Sequence, residues 1–238
     1  IEFSGGLGGT TAGTSDGGNG GAIDIVDISV GLSAPTITFK GGNGGTSTGV
    51  DMNGGVGGKA TVATLTSVAF TNMTTLNFLG GTGGAGTDNG HGSDGGAGGA
   101  VELTTSDADG GAFTATNINI LGGAGGVAGN GGAGAFEAGG GGTGGAVTNW
   151  RSQGLLNGAV NIHAGDATAG GAAGAGTGAD GGAGGIGGAV TIANMDVGVT
   201  GDIAASSGDG SNAGTGTATG VGGVGANGGA LTITDIHK

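Results

Sequence analysis

The chain has 238 residues, of which 72 are Gly and one is Pro, with six Phe, one Trp, no Tyr and no Cys. A net charge of −13 with only four Lys plus Arg excludes nucleic acid as a partner, because affinity for phosphate is built from basic contacts. The lack of Cys excludes a disulfide framework and thiolate metal sites, and no apolar run approaches membrane-spanning length, so membrane insertion is not expected.

Ile, Val, Leu and Phe together make up a little under a fifth of the chain, which by composition alone leans toward disorder. Two features lean the other way. The charged fraction is only 9%, and the apolar residues cluster at fixed places rather than scatter. With so few bulky side chains there is no material for one thick core, so each unit must bury its face against the next.

In chain order, Ile1-Glu2-Phe3-Ser4 runs into Gly5-Gly6 and then reaches Gly17-Gly18-Asn19-Gly20-Gly21-Ala22-Ile23. Close copies of that run follow at Gly54 to Gly58, Gly95 to Val101, Gly141 to Val147 and Gly184 to Val190, with a looser one from Gly222 to Leu231. The apolar residues that these runs open into are Ile23, Val62, Val101, Val147, Val190 and Leu231, at intervals of 39, 39, 46, 43 and 41 residues. This is a single repeat domain over 1–238. A half repeat at 1–22 precedes full repeats near 23–61, 62–100, 101–146, 147–189 and 190–230, and a half repeat follows at 231–238.

Each repeat reads as two Gly arms joined by a polar loop, then two short β runs around a turn. The first runs begin as Ile23-Asp24-Ile25 and Val101-Glu102-Leu103; the returning ones are Thr36-Ile37-Thr38-Phe39, Leu76-Asn77-Phe78, Ile118-Asn119-Ile120 and Val160-Asn161-Ile162. Apolar residues alternating with Asn, Thr or Asp predict strands with one buried face. In the arms the non-Gly residue recurs every third position, the period of the extended polyproline-II-type helix. Two side-chain-free positions per turn allow neighbouring arms to pair their backbones while the third residue projects outward. Ordering such chains costs about 1 to 2 kcal/mol of backbone entropy per residue, so isolated arms stay disordered and only a cross-bonded array holds them. The expected fold is all-β: an elongated, solenoid-like or layered repeat of roughly 40-residue units that combines short strand pairs with polyglycine-II-type segments.

The run Gly184 to Ile192, alternating with short strands, resembles the glycine-rich passenger repeats of bacterial autotransporter and filamentous surface proteins. Arms such as Gly122-Gly123-Ala124-Gly125-Gly126 are similar to the polyglycine layers of phage tail-tip adhesins and springtail antifreeze proteins. The resemblance is compositional and implies an exported, cell-surface or fibre-forming protein; it assigns no functional residue.

Catalytic signals are missing. Gly-x-Gly-x-x-Gly matches arise by accident at this Gly content, and Gly58-Lys59-Ala60 lacks the Ser or Thr of a phosphate loop. His91, His163 and His237 have no metal-ligand spacing among them. The sequence therefore predicts no enzyme and no cofactor, with Ca²⁺ at the Asp88 to Asp94 or Asp107 to Asp109 loops as the one cation to consider. Trp150-Arg151, beside Leu155-Leu156, is the sole bulky amphipathic pair and a candidate surface contact. Asn72-Met73-Thr74 is an N-glycosylation sequon.

The expected function is that of an extracellular structural protein that polymerises with itself. The N-terminal segment matches the second β run of a repeat and the C-terminal one, Gly228 to Asp235, matches the first. Head-to-tail strand completion between copies through Ile1, Phe3, Leu231 and Ile233 is expected to restore a repeat. The alternatives are an adhesin that binds a cell-surface glycan or protein, an ice-binding protein, given Thr-x-Thr pairs such as Thr46/Thr48 and Thr232/Thr234, and, for the unmatched ends, a segment of a longer repeat array.

Overall fold

The computed structural model describes residues 1–26, 32–62, 73–88, 90–106, 112–153, 155–195 and 201–236. Among these there is no helix, and so none long and apolar enough to cross a membrane. The alternating β-branched runs form strands as expected, twelve in all, and these make two six-stranded sheets in which every pairing is parallel. The odd sheet holds β1 (Glu2–Ser4), β3 (Thr36–Lys40), β5 (Thr75–Leu79), β7 (Ala112–Leu121), β9 (Leu155–His163) and β11 (Ile203–Ser206) in that order. The even sheet holds β2 (Ile23–Ile25), β4 (Ala60–Val62), β6 (Val101–Ser106), β8 (Val147–Gln153), β10 (Val190–Met195) and β12 (Leu231–Ile236).

The two β runs of a repeat are therefore not partners of one another. The chain runs out along an odd strand and its Gly arm, turns, returns along a second arm and an even strand, and crosses to the next odd strand. Each circuit is one layer, and there are six. The frame inferred from the sequence, with a half repeat at either end, shifts accordingly. Residues 1–25 make a whole first layer from β1 to β2, and 203–236 a whole sixth layer from β11 to β12.

In-register parallel pairing lines up equivalent side chains. Phe3, Phe39, Phe78, Ile120, Ile162 and Ala205 form one row across the odd sheet. Ile23, Ala60, Val101, Val147, Val190 and Leu231 form one across the even sheet. Alternation along each strand turns these rows inward, where Ile37, Phe39, Leu76, Phe78, Val101, Leu103, Ile120, Ile162 and Ile192 pack as one buried cluster. Two adjoining ring pairs stack, Phe3 on Phe39 with centroids 5.2 Å apart and Phe39 on Phe78 at 5.4 Å. On the outer face Asn119 donates to Asn77 (2.9 Å) and Asn77 to Thr38 (3.1 Å), a polar ladder in the same register.

The arms continue each layer beyond the strands. Their backbone bonds recur every third residue: Gly17, Gly20 and Ile23 donate to Asn53, Val56 and Lys59 of the next layer. The second Gly of each triplet donates across to the other row, as Gly18 does to Gly9, Gly45 to Gly18 and Gly55 to Gly45. Each arm thus bonds to arms of its own row and to the facing row, a two-row lattice with three residues per turn. The described glycines with positive φ are Gly13, Gly90, Gly134, Gly158 and Gly178, all outside the Gly-Gly-x-Gly-Gly runs. The arm glycines are thus required for space, not for a left-handed backbone. A Cβ built on Gly144 would lie within van der Waals overlap of the Gly165 carbonyl, and one on Gly98 within that of the Gly123 carbonyl.

Candidate assembly interface

The third residue of each triplet faces outward, and where it is Asn or Asp its side chain has a constant task. Oδ1 of Asp16 accepts from the backbone N–H of Asn53, Oδ1 of Asn53 from Asp94, and Oδ1 of Asp94 from Gly140. A second column runs from Asp88 to Asn130 to Ala172. Asn19, Asn43, Asp166 and Asp180 accept likewise from Val56, Thr82, Asp209 and Val221. In every case the acceptor belongs to one layer and the donor to the layer after it, at distances of 2.6–3.2 Å. This supplies the third N–H of the triplet, which the arm lattice itself leaves unpaired.

At the two end layers the pattern is interrupted. Gly42 and Gly45 in the second layer press on the carbonyls of Gly6 and Gly9, whereas a Cβ on Gly6 or Gly9 would meet nothing within 4 Å. In the sixth layer Gly222, Gly225 and Gly228 correspond to Gly181, Gly184 and Gly187, which abut carbonyls of Gly214, Ser211 and Gly208. Yet the nearest atoms to a Cβ on those three lie at 3.7, 3.8 and 3.3 Å. Among the described glycines without positive φ, these five and the outward-facing Gly140 are the ones with no backbone atom within 3.2 Å of an added Cβ. Both end faces thus carry arm glycines that no backbone among the described residues closely approaches.

The apolar residues expected at the junction lie on these faces. Ile1 and Phe3 are on or beside β1, the edge of the odd sheet at one end, with 51% and 38% of their surface exposed; Leu231 and Ile233 are on β12, the edge of the even sheet at the other, with 45% and 46%. The four are not brought together within one chain. The same end layers also carry Ile203 and Ala205 on β11, in the layer of Leu231 and Ile233, and Ile23 and Ile25 on β2, in the layer of Ile1 and Phe3. Sequence reasoning passed over these and the end-face glycines, because their sequence context matches that of interior copies. Only the layer order shows that they are outermost.

Other candidates are dispersed. Trp150 and Arg151 lie in β8, their backbones in register with Ile192 and Thr104, and their side chains fall outside the described residues. So do His237, Asn72 of the sequon and the Asp107 to Asp109 loop. His163 contacts Asp166 (Nε2 to Oδ1, 3.3 Å) and Ser206 (Nδ1 to Oγ, 2.8 Å) where the odd sheet meets its arms. His91 meets Phe136 edge-on at 5.2 Å in the distal loops. Among the described residues no three His, Asp or Glu side chains gather as a metal site. Asp88 and Asp94, expected as Ca²⁺ candidates, each accept a backbone N–H of the following layer.

No family model matches the chain, and no curated protein matches it in sequence. Among solved structures, it is similar to a nine polyproline type II helical bundle springtail antifreeze protein from Granisotoma rainieri, whose crystal waters match the ice lattice. The two are 24% identical over 89% of this chain and 95% of the other, with a TM-score of 0.17. At that score the likeness carries no argument about this protein, and the resemblance to autotransporter repeats has no counterpart in these comparisons.

Proposed function

We propose that this protein is a structural subunit that stacks head to tail into an extracellular filament, the sixth layer of one copy lying on the first layer of the next. The observation that carries this is the set of open glycines at both ends. Gly6, Gly9, Gly222, Gly225 and Gly228 keep the residue type that close backbone approach demands, although among the described residues no backbone comes within 3.2 Å of a Cβ built on them. A surface meant for water has no need of it, since Gly weakens ordered structure by about 0.5 to 1 kcal/mol relative to Ala.

The rest of the end geometry agrees. Both sheets present open parallel edges, at which Ile1, Phe3, Leu231 and Ile233 are exposed. Translation by six layers sets Ile203 toward Ile1 and Ala205 toward Phe3 in the odd sheet, and Leu231 toward Ile23 and Ile233 toward Ile25 in the even sheet, the rows that the interior already forms. The junction joins whole layers rather than halves of one. Because its two surfaces differ, it propagates an open polar fibre instead of closing a ring. A location outside the cell accords with the resemblance to exported glycine-rich repeats, and the reading involves no catalysis.

Electron microscopy of the purified chain tests it. Six layers about 4.8 Å apart give an axial rise of about 29 Å per subunit, and filaments with that rise are the expected result. Gly225→Val should leave a folded monomer. Wild-type protein that stays monomeric at high concentration overturns the reading; if those monomers bind cells or glycans, or show thermal hysteresis, the adhesin or ice-binding alternative replaces it.

A further inference from the structure

Resting on the filament reading, we infer that the junction is keyed by three outward side chains of the sixth layer, Asp209, Asn212 and Asn227, whose oxygens accept the backbone N–H groups of Leu7, Thr10 and Asn19 of the next copy. The argument is the rule the interior obeys. In layers one to five, all nine Asn and Asp at outward arm positions accept an N–H from the equivalent residue one layer on. Asp209, Asn212 and Asn227 occupy the same kind of position. The row bonds place them in line with Asp166, Ala169 and Ile186 of the fifth layer, since Ala167 donates to Asp209, Gly170 to Asn212 and Gly187 to Asn227.

Among the described residues these three side chains have no hydrogen-bond partner, and each is exposed. At the opposite end the row bonds put Leu7, Thr10 and Asn19 at the start of those columns: Gly8 donates to Asn43, Thr11 to Thr46 and Gly20 to Val56. Their own N–H groups likewise have no partner among the described residues. Each acceptor thus has a donor in its own column and facing it. A slip by one triplet along the arm would pair Asp209 with Thr10 and leave Asn212 beyond the Leu7 and Thr10 columns. The side chains therefore fix the register, which uniform Gly-Gly backbones leave undefined by themselves.

The inference separates from the filament reading in one experiment. The triple variant Asp209→Ala, Asn212→Ala, Asn227→Ala removes no bond inside the subunit, so its unfolding midpoint should equal that of the wild type. Its critical concentration for assembly should rise by about 100-fold, the effect of losing three ordinary hydrogen bonds. Register is read independently in the Cys-free chain by Ala22→Cys with Ala230→Cys, which end the innermost column of the even arms. Stacked one layer apart, about 4.8 Å, they fall within disulfide reach, so oxidised filaments should yield a covalent ladder of oligomers. Wild-type filaments with an unchanged critical concentration in the triple variant, or without the ladder in the Cys pair, overturn the inference and leave the filament standing. Failure of the wild type to assemble removes the filament reading itself, and the inference with it.

Discussion

In the sheet half of the molecule, neighbouring layers meet through side chains: the Phe39 and Phe78 rings stack at 5.4 Å, and Ile37, Leu103, Ile120 and Ile162 fill the space between the two sheets. In the arm half, the same layers of the same chain meet through paired main-chain atoms, joined on the outside by the Asn and Asp oxygens of the arms. The Gly165 carbonyl occupies the space that a Cβ of Gly144 would take, and Gly144 N–H donates to Ile186. One half is specified by what its side chains fill, the other by what they leave empty. The difference sets how each half answers substitution. An apolar core repacks when a methylene is lost, whereas a lattice of paired backbones has no rotamer to adjust and must separate.

That contrast breaks most sharply at Gly144. Gly144→Val places three carbons against the Gly165 carbonyl and the Gly188 nitrogen, and the expected loss is about 4 kcal/mol or more in chemical denaturation, the range of buried clashes. An unchanged midpoint would show that the arms are tethers and not a packed layer. In the core, Ile120→Val removes one methyl from a fully buried residue and should cost about 1 kcal/mol. A cost equal to that of Gly144→Val would erase the distinction between the halves. Asn53→Ala deletes one rung of the outward ladder, the acceptor for Asp94 N–H, and is expected to lower stability by about 0.5 to 1.5 kcal/mol without changing filament register. The smallest effect belongs to Gly225→Ala at the open end face. Its unfolding midpoint should stay within about 0.5 kcal/mol of wild type, although the interior equivalent Gly184→Ala, pressed on Ser211, should be severely destabilised. Equal losses at Gly225 and Gly184 would mean that the end face is already occupied.

Much of the architecture was legible before any coordinates. The Gly-Gly-x period announced three-residue turns with one outward position, and the alternation in Leu76-Asn77-Phe78 or Ile118-Asn119-Ile120 announced half-buried strands, because local sterics and side-chain parity dictate both. The partners of those strands were not legible. Ile23-Asp24-Ile25 and Thr36-Ile37-Thr38-Phe39 are close in sequence and read as a pair, yet they lie in different sheets, each bonded to a strand roughly 40 residues away. The same gap hid the junction role proposed for Asp209, Asn212 and Asn227.

The sequence by itself determined the unit: its length, its strands, its arms and the face each residue presents, since these depend on neighbours one to three positions apart. Tertiary structure alone decided the stacking order, and with it that Gly6 and Gly225 face open space while Gly42 and Gly184 face carbonyls. Copies of one motif are locally equivalent, and what distinguishes an end from an interior is only the presence of another layer beyond it.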